Sequence, residues 1–285
     1  LGLIRGVTAF GLLIVAEGAY DDYFPPILGE EVFLEISFEA PLSEDQIESI
    51  VAGYLFELSS TLELTLKRCP RPFLIQVFEE EETVPSSAPI RLRPLLLGKG
   101  LPEVLSLFNR ASIARDPEHR LLHFAKVIEH VAQTVVRQQS TDLVRAKLLS
   151  ARALDPDADY ILELVTLVDD LRIYRKDREA LKLALMTCCE PRELARIAPP
   201  FLAKLKSLHP RSSAKECEDA LVEFAGAVYS TRGAVAHAKP NYTPTGEECP
   251  ENQLTDFVSC VDLAAQQAIR WYYARHDSQR VTGRG

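Results

Sequence analysis

Apolar and polar positions change period along the chain, and the changes outline its elements. Val32-Phe33-Leu34-Glu35-Ile36-Ser37-Phe38 alternates with a period near two, the pattern of a half-buried strand, and Phe73-Leu74-Ile75-Gln76-Val77-Phe78 reads the same way. Between them Ser43 opens a helix at about Glu44, with Glu44 and Asp45 in its first turn, where negative charge suits the helix dipole. Ile47, Ile50, Val51, Tyr54, Leu55 and Leu58 then recur at helical spacing. Gly6 to Ala16, apolar behind Arg5, reads as a further strand, since no small-x-small cleavage site follows it. Residues 1–82 are therefore expected to form a small acidic α+β domain.

From Leu101 onward the period is helical. Asp116-Pro117 is a helix start, and Leu121, Phe124, Ala125, Ile128, Val131, Ala132 and Val135 make one stripe. Thr141 is placed to cap a second helix running to about Ala153. Further helices are predicted over 159–173, 178–188, 192–197 and 200–208. Ser213-Ala214-Lys215-Glu216 is a capping box that launches a helix with Cys217, Ala220, Leu221, Phe224, Ala225 and Val228 on one side. The last helix covers roughly 253–273, with Phe257, Val261, Ala264, Ala265, Ala268 and Tyr272 inward. The predicted class is α+β overall: the N-terminal domain over 1–82, a turn-rich linker over 83–100, a helical bundle over 101–278 and a flexible tail over 279–285.

Composition narrows the function. Of 285 residues, 47% are hydrophobic and 26% charged, as in a globular protein with a core of its own. No window is long and apolar enough to span a bilayer, so no membrane partner is expected. Six cysteines fall into neither a disulfide framework nor a zinc-finger spacing, which points to a reducing, cytoplasmic setting. The first hundred residues hold 7 Lys/Arg against 16 Asp/Glu, and they carry the whole excess of the net charge of −9. The rest is balanced and does not repel a polyanion as a whole. The chain opens on Leu1 rather than Met, which points to residues upstream of it.

Several chemistries are weak here. No Gly-x-Gly-x-x-Gly, Gly-x4-Gly-Lys-Ser/Thr or Gly-x-Ser-x-Gly run occurs. His119 and His123 have the i, i+4 spacing of metal ligands, but no glutamate follows His119, so no metal and no cofactor is expected. Arg270-Trp271-Tyr272-Tyr273-Ala274-Arg275-His276 is expected to pack its aromatics inward and leave its arginines in water.

The strongest candidate chemistry lies in Tyr229-Ser230-Thr231-Arg232-Gly233-Ala234-Val235-Ala236-His237, after an amphipathic helix and before Pro240. Arginine is charged at any working pH, and histidine exchanges protons near neutrality. An RNA strand can be cut when its 2′-hydroxyl attacks the neighbouring phosphorus, given a proton acceptor or donor and positive charge on the phosphoryl oxygens. One arginine and one histidine supply both.

Arg232-Gly233-Ala234-Val235-Ala236-His237 resembles the R-x4–6-H motif of the HEPN superfamily, which lies between the last two long helices of a helical bundle. The tyrosine before it, and the helix from Asp116 with Arg120, Leu121, Phe124, Ile128 and Glu129, resemble the abortive-infection, ApeA-like and MauJ-like branches. The resemblance covers about residues 105–275. It implies metal-independent endoribonuclease activity, often in anti-phage defence or toxin systems, in a homodimer that shares one cleft through the helical bundle. Arg232 would hold the phosphate and His237 would act as general acid and base. Tyr229, Thr231, Lys239 and Glu129 are the candidate substrate contacts, with Glu129 within reach of Arg232. Active members usually carry Asn, Asp or His after the arginine, whereas this chain has Gly233. That departure favours an alternative, a catalytically inactive bundle that binds RNA, nucleotide or a protein partner. The N-terminal domain is a candidate docking surface for such a partner.

Overall fold

A computed structural model describes residues 2–5, 16, 32–67, 92–236 and 245–282. The predicted strand over 73–78 lies outside the described residues, as does nearly all of the one over 6–16. Two compact units divide the chain, Leu1–Ile47 with Leu66–Arg91, and Glu48–Thr65 with Leu92–Gly285.

In the first unit, β1 (Gly2–Arg5) and β2 (Val32–Glu35) pair antiparallel, from Gly2 opposite Glu35 to Arg5 opposite Val32. This two-stranded ladder is the whole of the sheet among the described residues. Helix dominates everything else that is described, so the expected α+β class does not hold and the described residues are all-α apart from that ladder. Period-two alternation over 32–38 yields only four paired residues, and one hairpin-sized ladder builds no sheet layer. The helix α1 (Glu44–Leu62) starts where Ser43 predicts, with Ser43 N–H donating to Gln46 Oε1 at 2.8 Å and Gln46 N–H donating to Ser43 Oγ at 3.3 Å. From Glu48 onward α1 belongs to the second unit, not to an N-terminal domain.

The second unit is a helical bundle of α2 (Leu101–Ile113), α3 (Pro117–Leu148), α4 (Ala158–Asp170), α5 (Asp177–Cys188), α6 (Pro191–Ile197), α7 (Ala203–Lys206), α8 (Ala214–Ala236) and α9 (Leu254–Tyr273), joined by the larger part of α1. The 32-residue α3 is its centre and packs on α2, α5, α8 and α9. Asp116 caps it through the Glu118 and His119 N–H groups, and Pro117 fills the first position. Thr141 does not start a new helix: its Oγ1 donates to the Arg137 carbonyl at 2.7 Å, so the hydroxyl is used within the helix and α3 runs on.

Edge-on and tilted aromatic pairs knit the core. Phe56 of α1 meets Phe108 of α2 at 4.9 Å between ring centroids, and Phe108 meets Phe124 of α3 at 5.3 Å. Phe201 and Phe224 both meet Phe257 of α9. The Glu57 side chain is fully buried and accepts from both terminal nitrogens of Arg270, at 3.1 and 3.2 Å. Arg270 is thus a tie between α1 and α9, where the sequence places it in water.

The ends of the bundle are also fixed. Leu96 is buried, and Gly98 and Gly100 have positive φ, so residues 92–100 are packed chain and not a free linker. Residues 279–282 are no flexible tail. Arg280 is buried and donates to the carbonyls of Tyr272, Tyr273, Arg275 and Lys99, while Val281 N–H donates to Thr134 Oγ1 at 2.8 Å. Three of the four carbonyls lie at the end of α9, where a helix leaves acceptors spare, and the fourth, of Lys99, ties that end to the chain before α2. No helix among the described residues is long and apolar enough to cross a membrane.

Candidate functional site at the end of α8

Reciprocal bonds between Ser213 and Glu216 start α8: Glu216 N–H donates to Ser213 Oγ at 3.2 Å, and Ser213 N–H donates to Glu216 Oε2 at 2.6 Å. Cys217, Ala220, Leu221, Phe224 and Val228 are buried on its inner side. The helix packs on α3, α5 and α7 and carries Tyr229 and Arg232 on its last two turns. These two are three residues apart, so they are neighbours on one face.

Arg232 forms an ion pair with Glu129 of α3, with side chains 23% and 31% exposed. The same guanidinium lies over the Tyr229 ring, 5.7 Å from its centroid. A second guanidinium, that of Arg178 at the start of α5, lies 5.8 Å from the same ring. Arg178 donates to both oxygens of Glu247, at 2.8 and 2.7 Å. Two cations, each held by a carboxylate, therefore lie close to the Tyr229 ring. Glu247 also accepts from Ser230 Oγ at 3.1 Å and passes over Gly226, where any Cβ would come within 3.2 Å of its carboxylate. Glycine at 226 lets the 245–249 segment lie close on α8.

Arg232, Tyr229 and Glu129 are brought together as one cluster. Thr231 is not part of it. Thr231 is 4% exposed, and its Oγ1 accepts the Cys249 N–H at 2.8 Å, so it anchors the returning chain and is not a substrate contact. His237 and Lys239 lie outside the described residues. A Cβ added to Gly233 would meet no atom of the described residues within 4 Å. Arg178 and Glu247 are site residues that the sequence reading misses. They lie 54 residues before and 15 after Arg232, and no local spacing joins them to it.

Other chemistry-bearing groups are placed elsewhere. His119 lies 3.0 Å from the Asp116 carboxylate, and His130 packs edge-on to Tyr272 at 5.7 Å. Among the described residues, no three His, Cys, Asp or Glu side chains converge as metal ligands. Burial pushes the Cys188 and Cys260 thiols up to about 12 and the Cys189 thiol well above its usual range, so all three are protonated packing groups near neutrality.

The cluster has two half-exposed guanidiniums and one aromatic face, a set that can hold a phosphate and stack a base once a carboxylate yields. Compared with protein-family models, curated proteins and solved structures, the chain matches none.

Proposed function

We propose that this chain is a metal-independent endoribonuclease of HEPN type, working as a cytoplasmic homodimer in anti-phage defence or a stress response. Arg232 holds a non-bridging phosphoryl oxygen, and His237, five residues on, moves the proton. The 2′-oxygen bonds to phosphorus as the bond to the 5′-oxygen breaks, leaving a cyclic phosphate and a 5′-hydroxyl end. The proton taken from the 2′-hydroxyl balances the one given to the leaving oxygen. The observation that carries this reading is the fixed guanidinium. Glu129 and Tyr229 hold the Arg232 guanidinium in place near the half-exposed end of α8, in the chain just before His237. A cation oriented before the substrate arrives loses less entropy on binding it.

A second reading is favoured by two observations. Glu129 already neutralises Arg232, and Gly233 offers no polar side chain beside it. Both suit a catalytically silent bundle that binds RNA, nucleotide or a protein partner.

Labelled single-stranded RNA incubated in chelator with wild type, Arg232→Ala and His237→Ala tests both. Cleavage that each substitution abolishes, in proteins with unchanged circular dichroism, supports the enzyme. Equal cleavage by all three overturns it. Salt-sensitive binding without cleavage, weakened by Arg232→Ala, selects the second reading.

A further inference from the structure

Arg178 is the second cation of the site, and the proposed reaction gives it no task. It lies in the first turn of α5, with Arg175, Lys176 and Asp177 exposed before it and Glu179 half-buried after it. Of the two arginines at Tyr229 it is the more open, its side chain 46% exposed against 23% for Arg232. Both guanidiniums reach the same ring, at 5.8 and 5.7 Å from its centroid, so they are no further apart than those two distances laid end to end. Phosphates of one strand follow each other at roughly 3.4 Å of rise when the bases are stacked, and further when the strand is extended. Two phosphates of one short stretch therefore span such a gap.

In the free chain Arg178 is paired. Its Nη2 donates to both oxygens of Glu247, whose side chain is 42% exposed. A pair that is open to water on both sides holds weakly, and a guanidinium that fits a carboxylate fits a phosphate as well. Glu247 keeps a donor when Arg178 leaves it, because Ser230 Oγ donates to it at 3.1 Å. The other acid of that segment, Glu248, accepts from the Thr245 and Gly246 N–H groups, at 2.8 and 2.9 Å. We infer that Arg178 is a second phosphate contact, which grips the strand beside the phosphate that Arg232 holds. This rests on the RNA-binding reading of the site and narrows its substrate to a strand that lays two phosphates across Tyr229. Arg178 moves no proton, so it is a positioning residue. Its loss is expected in affinity and KM, with the single-turnover rate at saturating RNA nearly unchanged.

Binding of a short fluorescent 2′-O-methyl oligonucleotide, whose blocked 2′-oxygen prevents cleavage, tests this across a salt series on the full chain. Arg178→Ala is expected to bind several-fold more weakly and to lower the slope of log affinity against log salt by about 0.7, the share of one single-strand phosphate contact. Arg178→Lys is expected to keep the slope, since it keeps the charge. Glu247→Gln is expected to bind several-fold more tightly, because it frees Arg178 while its amide oxygen still accepts from Ser230. A purely structural tie between α5 and the 245–249 segment predicts otherwise: Arg178→Ala and Glu247→Gln both break it, so both would weaken binding alike. That outcome overturns the proposal, and the Glu247→Gln arm stands even if Arg178→Ala fails to fold. A slope lowered by Arg232→Ala but not by folded Arg178→Ala overturns it too, and leaves the RNA site itself standing. A wild type that shows no salt-sensitive binding removes both.

Discussion

Arg232 and Glu129 join the two longest helices of the bundle, α8 and α3, across 103 residues of sequence. The pair is partly exposed, so its contribution to stability is small, about 1 kcal/mol or less. Its larger effect is on direction, because it fixes where the guanidinium points. Glu129→Gln keeps the shape and removes the competing charge. Under the proposed function this variant is expected to bind RNA several-fold tighter and to cleave it about 10- to 100-fold more slowly, since the arginine then has no competing carboxylate but is worse aimed. Single-turnover cleavage across RNA concentrations, which separates binding from chemistry, checks this. Tighter binding with unchanged cleavage would show that Glu129 does not position Arg232.

Arg280 closes the far end of α9. Its guanidinium is nearly buried, donates to four carbonyls and pairs with Asp277 at 3.0 Å. Arg280→Ala removes the side-chain donor to all four carbonyls and loosens the hold on residues 279–282. The expected loss is about 2–4 kcal/mol, which lowers the melting temperature of a chain this size by several degrees or more. Thermal denaturation of wild type, Arg280→Ala and Arg280→Lys measures it. Lysine supplies one charged group without the planar fork, so it is expected to recover only part of the loss.

Two histidines on α3 make the bundle sensitive to mild acid. Burial pulls the His130 imidazole below its ordinary 6.5, with Glu103 opposing, and burial first, then Lys126, Arg110 and His119, does the same to His123. Each binds protons more weakly in the folded chain than in the unfolded one. Stability is therefore full above the ordinary histidine range and is lost as pH falls through the lowered values. Melting temperatures taken from about pH 7.5 to 5.5 are expected to fall, and less steeply in His130→Leu, which has no proton to gain. An identical slope in the variant would remove His130 from this account.

The helices were legible wherever a cap and an apolar stripe agree. Asp116 with Pro117, Ser43 with Glu44 and Asp45, and Ser213 with Glu216 each mark a start within a residue of the observed one. Thr141 shows the limit of that signal, since a threonine hydroxyl serves equally as a cap or as a bond back to the carbonyl four residues earlier. The strand class failed for a related reason. Alternation over a few residues marks extended chain, but it does not say whether other strands lie alongside. At the site, Tyr229 and Arg232 share a helix face and could be read together. Arg178 and Glu247 come from distant segments, as Glu57 and Arg270 do in the core, and such pairings leave no period in the sequence.

Gly233 is the position where sequence and structure together make the sharpest demand. It lies within α8, where glycine costs about 1 kcal/mol relative to alanine, and a Cβ there would meet nothing among the described residues. Among the described residues, a β-carbon is therefore unobstructed at the position where the family resemblance leads one to expect a polar side chain. Gly233→Ala is expected to raise the melting temperature by a few degrees without changing RNA cleavage. Gly233→Asn is expected to fold as well as wild type, asparagine being only slightly better than glycine in a helix, and to cleave RNA faster, because its amide can hold Arg232 or the phosphate in place. Comparison of the two variants separates helix stability from site chemistry. If asparagine gives no more cleavage than alanine, the glycine is not what limits the site.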